Sequence, residues 1–154
     1  MKEQIKNLNI AGRVYLWKYK EKTTKFPDWH FTVDRVASAS LLELLKMMYE
    51  CEWSSKKEIH LTQPTENQTR VPNFDKGYAK WKGMETLILN FKKNVEKEYW
   101  EIRQKDNEVE IVFGEDKFEK LKTAIEGIPK GLGDFGIYNK SEEDILYIWW
   151  NLDS

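Results

Sequence analysis

The chain has 154 residues, of which 40% are hydrophobic, 14% aromatic and 33% charged, and its formal net charge is −1. We interpret residues 1–154 as a single domain, because this length and composition suffice for a packed core. Because basic and acidic residues nearly balance, the composition does not favour nucleic acid or an anionic membrane as the partner. The single cysteine, Cys51, excludes an intrachain disulfide and favours a reducing, cytoplasmic location. No apolar run approaches the roughly 20 residues of a membrane span.

The first third of the chain predicts two strands, a helix and a third strand. Residues 9–17 and 29–34 alternate as strands and are close enough in sequence to form a hairpin. A capping-box pattern at Ser40 predicts the start of a helix, with Ser38 as an alternative cap. Its apolar residues recur at i, i+3, i+4 and i+7, namely at Leu41, Leu44, Leu45 and Met48. Residues 58–62 alternate as the third strand.

Residues 63–83 are the least regular part of the chain, with two prolines and two glycines. A structureless loop of this length is uncommon inside a compact domain. The segment is therefore expected to be functional, to be mobile, or to contain a short element that the pattern does not reveal.

The second half predicts a β-meander, a helix and a last strand. The meander strands are residues 86–91, 98–103 and 108–113. Glu115 and Asp116 open the helix, which stops at Gly127 and Pro129. Residues 145–150 form the last strand.

The resulting order is β-β-α-β-loop-β-β-β-α-β. Strands come in runs rather than alternating with helices, which favours the α+β class over a parallel doubly wound sheet. We therefore predict a mainly antiparallel sheet of about seven strands, with two helices packed on one face.

A glycine-rich segment, Gly131–Gly136, matches the dinucleotide-binding pattern G-x-G-x-x-G. The phosphate-binding mechanism requires a strand before these glycines and a helix after them. Here the predicted helix precedes the glycines and a strand follows them, so we interpret the segment as a turn between elements.

Metal and catalytic patterns are weak. The chain has two histidines, whereas a zinc site needs three or four ligands at short spacing. His30, Asp34 and His60 are the candidate polar groups of a pocket, although no spacing predicts that they meet. Glu50 and Glu52 flank Cys51 and argue against a reactive thiol. We predict no catalytic residue, no metal and no cofactor.

The aromatic content is the most distinctive feature, with seven tryptophans. Trp149 and Trp150 are adjacent on a predicted strand and should point to opposite faces, as should Tyr99 and Trp100. One member of each pair then lies on the sheet face opposite the helices. That face is either covered by loop 63–83 or exposed for binding. The candidate binding residues are Trp100, Trp150, Tyr99, Trp149, Phe74, Tyr78 and Trp81.

Two functions follow from these observations. The first is a non-enzymatic interaction module, of the immunity-protein or regulatory-adaptor type, that binds another protein through the aromatic sheet face. A homo-oligomer is compatible with it, and nucleic acid and membrane are not expected as partners. The alternative is a small-molecule-binding protein or small enzyme, with an aromatic-lined pocket between the sheet and loop 63–83.

Overall fold

The computed structural model describes residues 1–19, 28–70, 81–132 and 135–150. Its helices are α1 (Lys2–Asn7), α2 (Arg35–Glu50), α3 (Glu66–Arg70) and α4 (Glu115–Gly127), the last followed by a 3₁₀ turn (Ile128–Lys130). Its strands are β1 (Val14–Tyr19), β2 (Trp29–Val33), β3 (Ser55–His60), β4 (Trp81–Gly83), β5 (Thr86–Phe91), β6 (Trp100–Lys105), β7 (Glu108–Phe113), β8 (Phe135–Ile137) and β9 (Leu146–Ile148). The predicted α+β class is confirmed. Within the described residues, none of the helices has the length and apolar character of a membrane span.

The strands form two sheets rather than one. The first has the order β4-β1-β2-β9-β8 and the second β3-β5-β7-β6. The predicted hairpin of β1 and β2 is confirmed. The predicted meander is wrong, because β7 lies between β5 and β6 and pairs parallel with β5. This order places the apolar residues of β5 directly beside those of β7, pairing Leu87 with Val109, Leu89 with Ile111 and Phe91 with Phe113.

One main core joins both sheets to the two long helices. Helix α2 contributes the apolar stripe that the sequence predicted, and α4 contributes Phe118, Leu121 and Ile125. The two helices also share a hydrogen bond, from the Ser38 hydroxyl to the Ile125 carbonyl at 2.9 Å. Burial of this apolar area is the main stabilising term, at about 25 cal/mol per Å² removed from water.

Helix α2 begins five residues before the predicted cap at Ser40. The Asp34 carboxylate accepts the Ala37 N–H at 2.8 Å and so caps the helix. Gly12, at φ +84°, lies against this end, where an added Cβ would be 2.3 Å from the Ala37 nitrogen. Glycine at this position therefore lets the segment before β1 rest on the N-terminus of α2.

The loop between β8 and β9 ties the two sheets together at Asp144. The Asp144 carbonyl accepts the Trp100 indole N–H at 2.7 Å, and the Asp144 carboxylate accepts the Ile102 N–H at 3.1 Å. Because β6 is an edge strand, this carboxylate satisfies a backbone donor that would otherwise be free to pair with another chain. Asp144 holds φ +51°, a conformation that aspartate tolerates better than most residues.

We expect Asp144→Ala to lower the free energy of unfolding by about 1–3 kcal/mol, because the Ile102 N–H loses its acceptor. Asp144→Asn keeps an oxygen acceptor and should lose less. Urea unfolding measures both, with Glu143→Ala as the control for removing an exposed neighbouring carboxylate. Equal losses in the Asp144→Ala and Glu143→Ala variants would show that the edge contact contributes nothing.

Candidate functional site

The outer face of the first sheet, opposite the main core, carries a second buried layer. On β1 the alternation sends Val14 and Leu16 into the main core. It sends Tyr15, Trp17 and Tyr19 to the other face. The same alternation places residues of β2 and of the end of β9 on that face. We call this side of the sheet the aromatic face; its residues are Tyr15, Trp17, Tyr19, His30, Thr32, Tyr147 and Trp149, of which Tyr147 is half-buried and the others are buried.

His30 lies at the centre of the aromatic face and is fully buried. Its ring stacks with those of Trp17, Tyr147 and Trp149 at centroid distances of 5.6, 5.2 and 6.0 Å. Tyr19 meets it edge-on at 4.9 Å. These separations lie in the range of favourable ring contacts.

A hydrogen bond fixes the chemistry of the His30 imidazole. The Trp149 indole N–H donates to His30 Nδ1 at 2.8 Å, inside the buried layer. Since indole can only donate, Nδ1 carries no proton and the neutral ring carries its proton on Nε2. His30 is thus held in one tautomer and one orientation.

The irregular segment 63–83 contains the short helix α3, which lies on the aromatic face. Thr65 and Gln68 form a reciprocal capping box, with Gln68 N–H to Thr65 Oγ1 at 3.2 Å and Thr65 N–H to Gln68 Oε1 at 3.0 Å. The Tyr19 hydroxyl donates to the Thr69 carbonyl. Gln68 and Thr69 are both buried as a result.

Three of the predicted binding residues lie at the aromatic face. Trp149 is 8% exposed, while Trp81 and Trp150 are half-buried and pack against the cluster. Trp150 does not point to the opposite face as predicted, because β9 ends at Ile148. Its ring instead packs edge-on to Trp149, at 6.3 Å. Phe74 and Tyr78 lie outside the described residues.

Trp100 and Tyr99 lie elsewhere. Trp100 is the first residue of β6 in the second sheet, and Tyr99 precedes it. The prediction of a single sheet did not separate this second sheet from the first. Trp100 is buried in the main core. The Tyr99 hydroxyl donates to the Glu101 carboxylate at 2.5 Å, and this bond raises the pKa of Tyr99. Neither side chain is part of the aromatic face.

The three polar groups of the alternative pocket are not brought together. His30 lies in the first sheet, Asp34 caps α2, and His60 is exposed on β3 of the second sheet. Across residues 1–19, 28–70, 81–132 and 135–150, no group of three or more His, Cys, Asp or Glu side chains could hold a metal ion.

Two polar atoms of the aromatic face have no hydrogen-bond partner within the part of the chain that the structure describes. These are the Trp17 indole nitrogen and the Thr32 hydroxyl, both on fully buried side chains. A buried polar group without a partner costs roughly 1–3 kcal/mol. Within the described residues, the aromatic layer thus contains one indole donor and one hydroxyl whose hydrogen bonds are not accounted for.

Sequence reasoning omitted Trp17, Tyr19 and Tyr147 from the candidate site. A signal was present, because aromatic residues recur at every second position from Tyr15 to Tyr19.

Comparison with models of protein families, with curated proteins and with solved structures gives no significant match to this chain.

We expect Trp149→Phe to lower the free energy of unfolding by about 1–3 kcal/mol, because His30 Nδ1 loses its buried donor. Trp150→Phe is the matched control, since it truncates a half-buried ring that packs on the same cluster. Urea unfolding of the two variants gives the comparison. A loss in Trp149→Phe no larger than in Trp150→Phe would contradict the assigned hydrogen bond.

Burial, and secondarily the Asp28 carboxylate, raises the pKa of Tyr147 above its ordinary 10.0. The folded state therefore favours the neutral phenol, so this contribution to stability is complete below about pH 10 and is lost as the pH rises through the raised pKa. Tyr147→Phe should reduce the alkaline loss of stability, measured as the urea midpoint between about pH 9 and 11. Tyr138→Phe, which removes an exposed phenol, should leave that loss in place; similar pH profiles for both variants would contradict the assignment.

Proposed function

We propose that this protein is a non-catalytic interaction module that binds another protein through the aromatic face of its first sheet. The observation that carries the proposal is a set of three half-buried aromatic side chains, Trp81, Tyr147 and Trp150, packed against a fully buried aromatic layer. Tryptophan and tyrosine are enriched among the residues that dominate binding energy at protein interfaces.

The layer beneath these side chains supports the proposal because it is buried and hydrogen-bonded. Trp17 and His30 are both fully buried, and the Trp149–His30 hydrogen bond fixes the ring on which Trp150 packs. Side chains already held in place lose less conformational entropy on binding. Trp150 and Tyr147 would therefore act as preorganised anchors.

The proposal places the module in the cytoplasm, with a function of the immunity-protein or regulatory-adaptor type. Its single cysteine, Cys51, is a buried thiol, which suits a reducing compartment. A partner that covers the aromatic face would bring large apolar groups against the tryptophan rings, with a polar rim around them.

A second candidate function, binding of a small molecule at the same face, is favoured by one observation. The buried Trp17 indole nitrogen and Thr32 hydroxyl have no partner in the described residues. Ligand sites commonly combine aromatic walls with a few convergent polar groups. Extraction of protein purified from its own cells, followed by mass spectrometry, would reveal such a ligand.

Photo-crosslinking in the native cells tests the interaction function. A benzoylphenylalanine at position 150 keeps a large aromatic group at the proposed anchor. The same substitution at Lys105, an exposed residue at the end of β6, is the matched control. We expect one discrete protein adduct from position 150, abolished when the partner gene identified from it is deleted, and none from position 105.

No adduct at position 150, or the same adducts from both positions, would contradict an interface at the aromatic face. A small molecule recovered at one equivalent per chain, together with no adduct, would move the assignment to the second candidate function.

A further inference from the structure

Within the described residues, the two sheets end in four edge strands that differ in their protection against pairing with another chain. Strands β4 and β8, the edges of the first sheet, have three residues each. On β6, the Asp144 carboxylate accepts the Ile102 N–H. Strand β3, the other edge of the second sheet, has six residues. Short or covered edges are protected from strand pairing, so β3 is the edge that neither device protects.

The backbone hydrogen bonds of β5 show which groups of β3 face its free edge. The N–H groups of Thr86 and Lys92 donate to carbonyls at or next to the two ends of β7. Backbone groups alternate in direction along a strand, so the odd-numbered residues of β5 face β3. The Leu61 N–H, which continues the β3–β5 register and donates to the Glu85 carbonyl at 2.9 Å, agrees with this assignment. The odd-numbered residues of β3 therefore pair with β5.

The even-numbered residues of β3 direct their backbone N–H and C=O groups away from β5. Thr62, just beyond the strand, has this direction and donates to the Val14 carbonyl of β1 at 2.8 Å. The N–H groups of Lys56, Glu58 and His60 have no acceptor within the part of the chain that the structure describes. The edge of β3 is therefore a row of backbone groups that a further strand can pair with.

Open space lies beside the free edge of β3. A groove of about 740 Å³ between α1 and β3 is lined by Lys56, Lys57 and Glu58 together with residues of α1 and β5. Lys57 is buried on the inner face of the strand, and an inward charge is one device that protects an edge. Its ammonium, however, donates to the carbonyls of Lys6 and Leu8 at 2.7 and 2.6 Å. That charge is thus already satisfied within its own chain.

The exposed side chains of β3 determine which strand fits its edge. Lys56 and Glu58 are exposed on the outer face, and the residues opposite them on β5 are the uncharged Asn90 and Ile88. Neither Lys56 nor Glu58 forms a salt bridge in the described residues. An antiparallel strand should therefore place an acidic residue opposite Lys56 and a basic one opposite Glu58. In such a strand the basic residue comes two positions before the acidic one, which is the order of Lys56 and Glu58 themselves.

We propose that two copies of this chain pair through the free edges of β3, as antiparallel strands related by a two-fold axis. Lys56 of each copy then lies opposite Glu58 of the other, and the two second sheets form one continuous sheet. A shift of two residues in either direction would bring Glu58 opposite Glu58 or Lys56 opposite Lys56, so charge selects one register. Such a self-complementary surface is what a closed two-fold dimer requires.

The choice of a second copy rests on the positions of opposite charges along the edge and not on the net charge of the groove. Helix α1 adds Lys2, Glu3 and Lys6 to the groove lining, so both signs are present there. The two-fold axis passes between the two copies of Lys57, whose ammonium groups are each held by two carbonyls. The proposal goes beyond the aromatic face, because β3 belongs to the second sheet.

Analytical ultracentrifugation of the full chain over a range of concentrations tests the proposal. We expect a monomer–dimer equilibrium. Lys56→Glu and Glu58→Lys should each raise its dissociation constant about tenfold or more, because each places like charges opposite one another twice in the symmetric dimer. The double variant restores opposite charges and should return the constant to within about threefold of the unchanged chain. The matched controls are Lys105→Glu and Glu108→Lys, an exposed pair at the far side of the same sheet, which should leave it unchanged.

Amide hydrogen exchange measured by NMR locates the interface. We expect the Lys56 and Glu58 amides, which face the free edge, to exchange slowly at concentrations where the dimer forms and faster on dilution. The Lys57 and Ile59 amides face β5 and should exchange slowly in both states. Slow exchange of these two amides in the charge variants also shows that β3 is folded.

Four results would overturn the proposal. They are a monomer at every concentration, single charge reversals no weaker than the controls, a double variant no tighter than the single ones, and a dimer whose Lys56 and Glu58 amides exchange as fast as those of the monomer. A monomer at every concentration would leave the edge to a strand of another protein. Because no readout uses the first sheet, these results are separate from whether position 150 crosslinks to a partner.

Discussion

The inner face of the first sheet lies in the main core, and the central strands β1 and β2 are buried on the outer face as well, so polar groups there are removed from bulk water. The hydrogen bond from the Trp149 indole to His30 Nδ1 meets this constraint at the centre of that face. It joins β2 to the residue that follows β9, across 119 residues of sequence between His30 and Trp149. The imidazole ring stacks with the rings of Trp17, Tyr147 and Trp149, and the half-buried Trp81 and Trp150 pack against this cluster.

The same constraint explains how the rest of the chain is organised around the first sheet. Helix α3 closes part of the outer face through Tyr19 and Thr69, while the inner face shares the main core with the second sheet. At the far edge, Asp144 connects the β8–β9 loop to β6. Two partly buried lysines donate to backbone carbonyls just beyond the ends of other elements: Lys57 to the Leu8 carbonyl after α1, and Lys117 to the Tyr138 carbonyl after β8. Burial lowers the pKa of both lysines. Buried hydrogen bonds thus hold two tryptophan rings in place: His30 accepts from the Trp149 indole, and the Asp144 carbonyl accepts from the Trp100 indole.

Sequence patterns predicted the elements that are long and periodic. The apolar stripe of α2, the acidic start of α4 and the alternation of β5 and β7 all depend on local spacing, and each is confirmed. The predicted strand order was wrong because strand order depends on long-range pairing. No local sequence pattern indicates that β7 pairs with β5, instead of β5 pairing with β6 as in a meander. The start of α2 was placed too late because the Ser40 pattern competed with Asp34, whose capping bond is visible only in three dimensions. At the site, alternation located an aromatic sheet face but assigned Trp100 to it, because one sheet was assumed where two exist.

The central claim is that His30 is a buried, neutral hydrogen-bond acceptor for Trp149, and long-range ¹H–¹⁵N NMR of the histidine side chains measures it directly. We expect an unprotonated Nδ1 on His30 at neutral pH, a scalar coupling across the hydrogen bond to the Trp149 indole proton, and slow exchange of that proton with solvent. A protonated Nδ1, or a Trp149 indole proton that exchanges as fast as that of exposed Trp53, would contradict the central claim. The aromatic layer would then lack the fixed centre on which the proposed binding face depends.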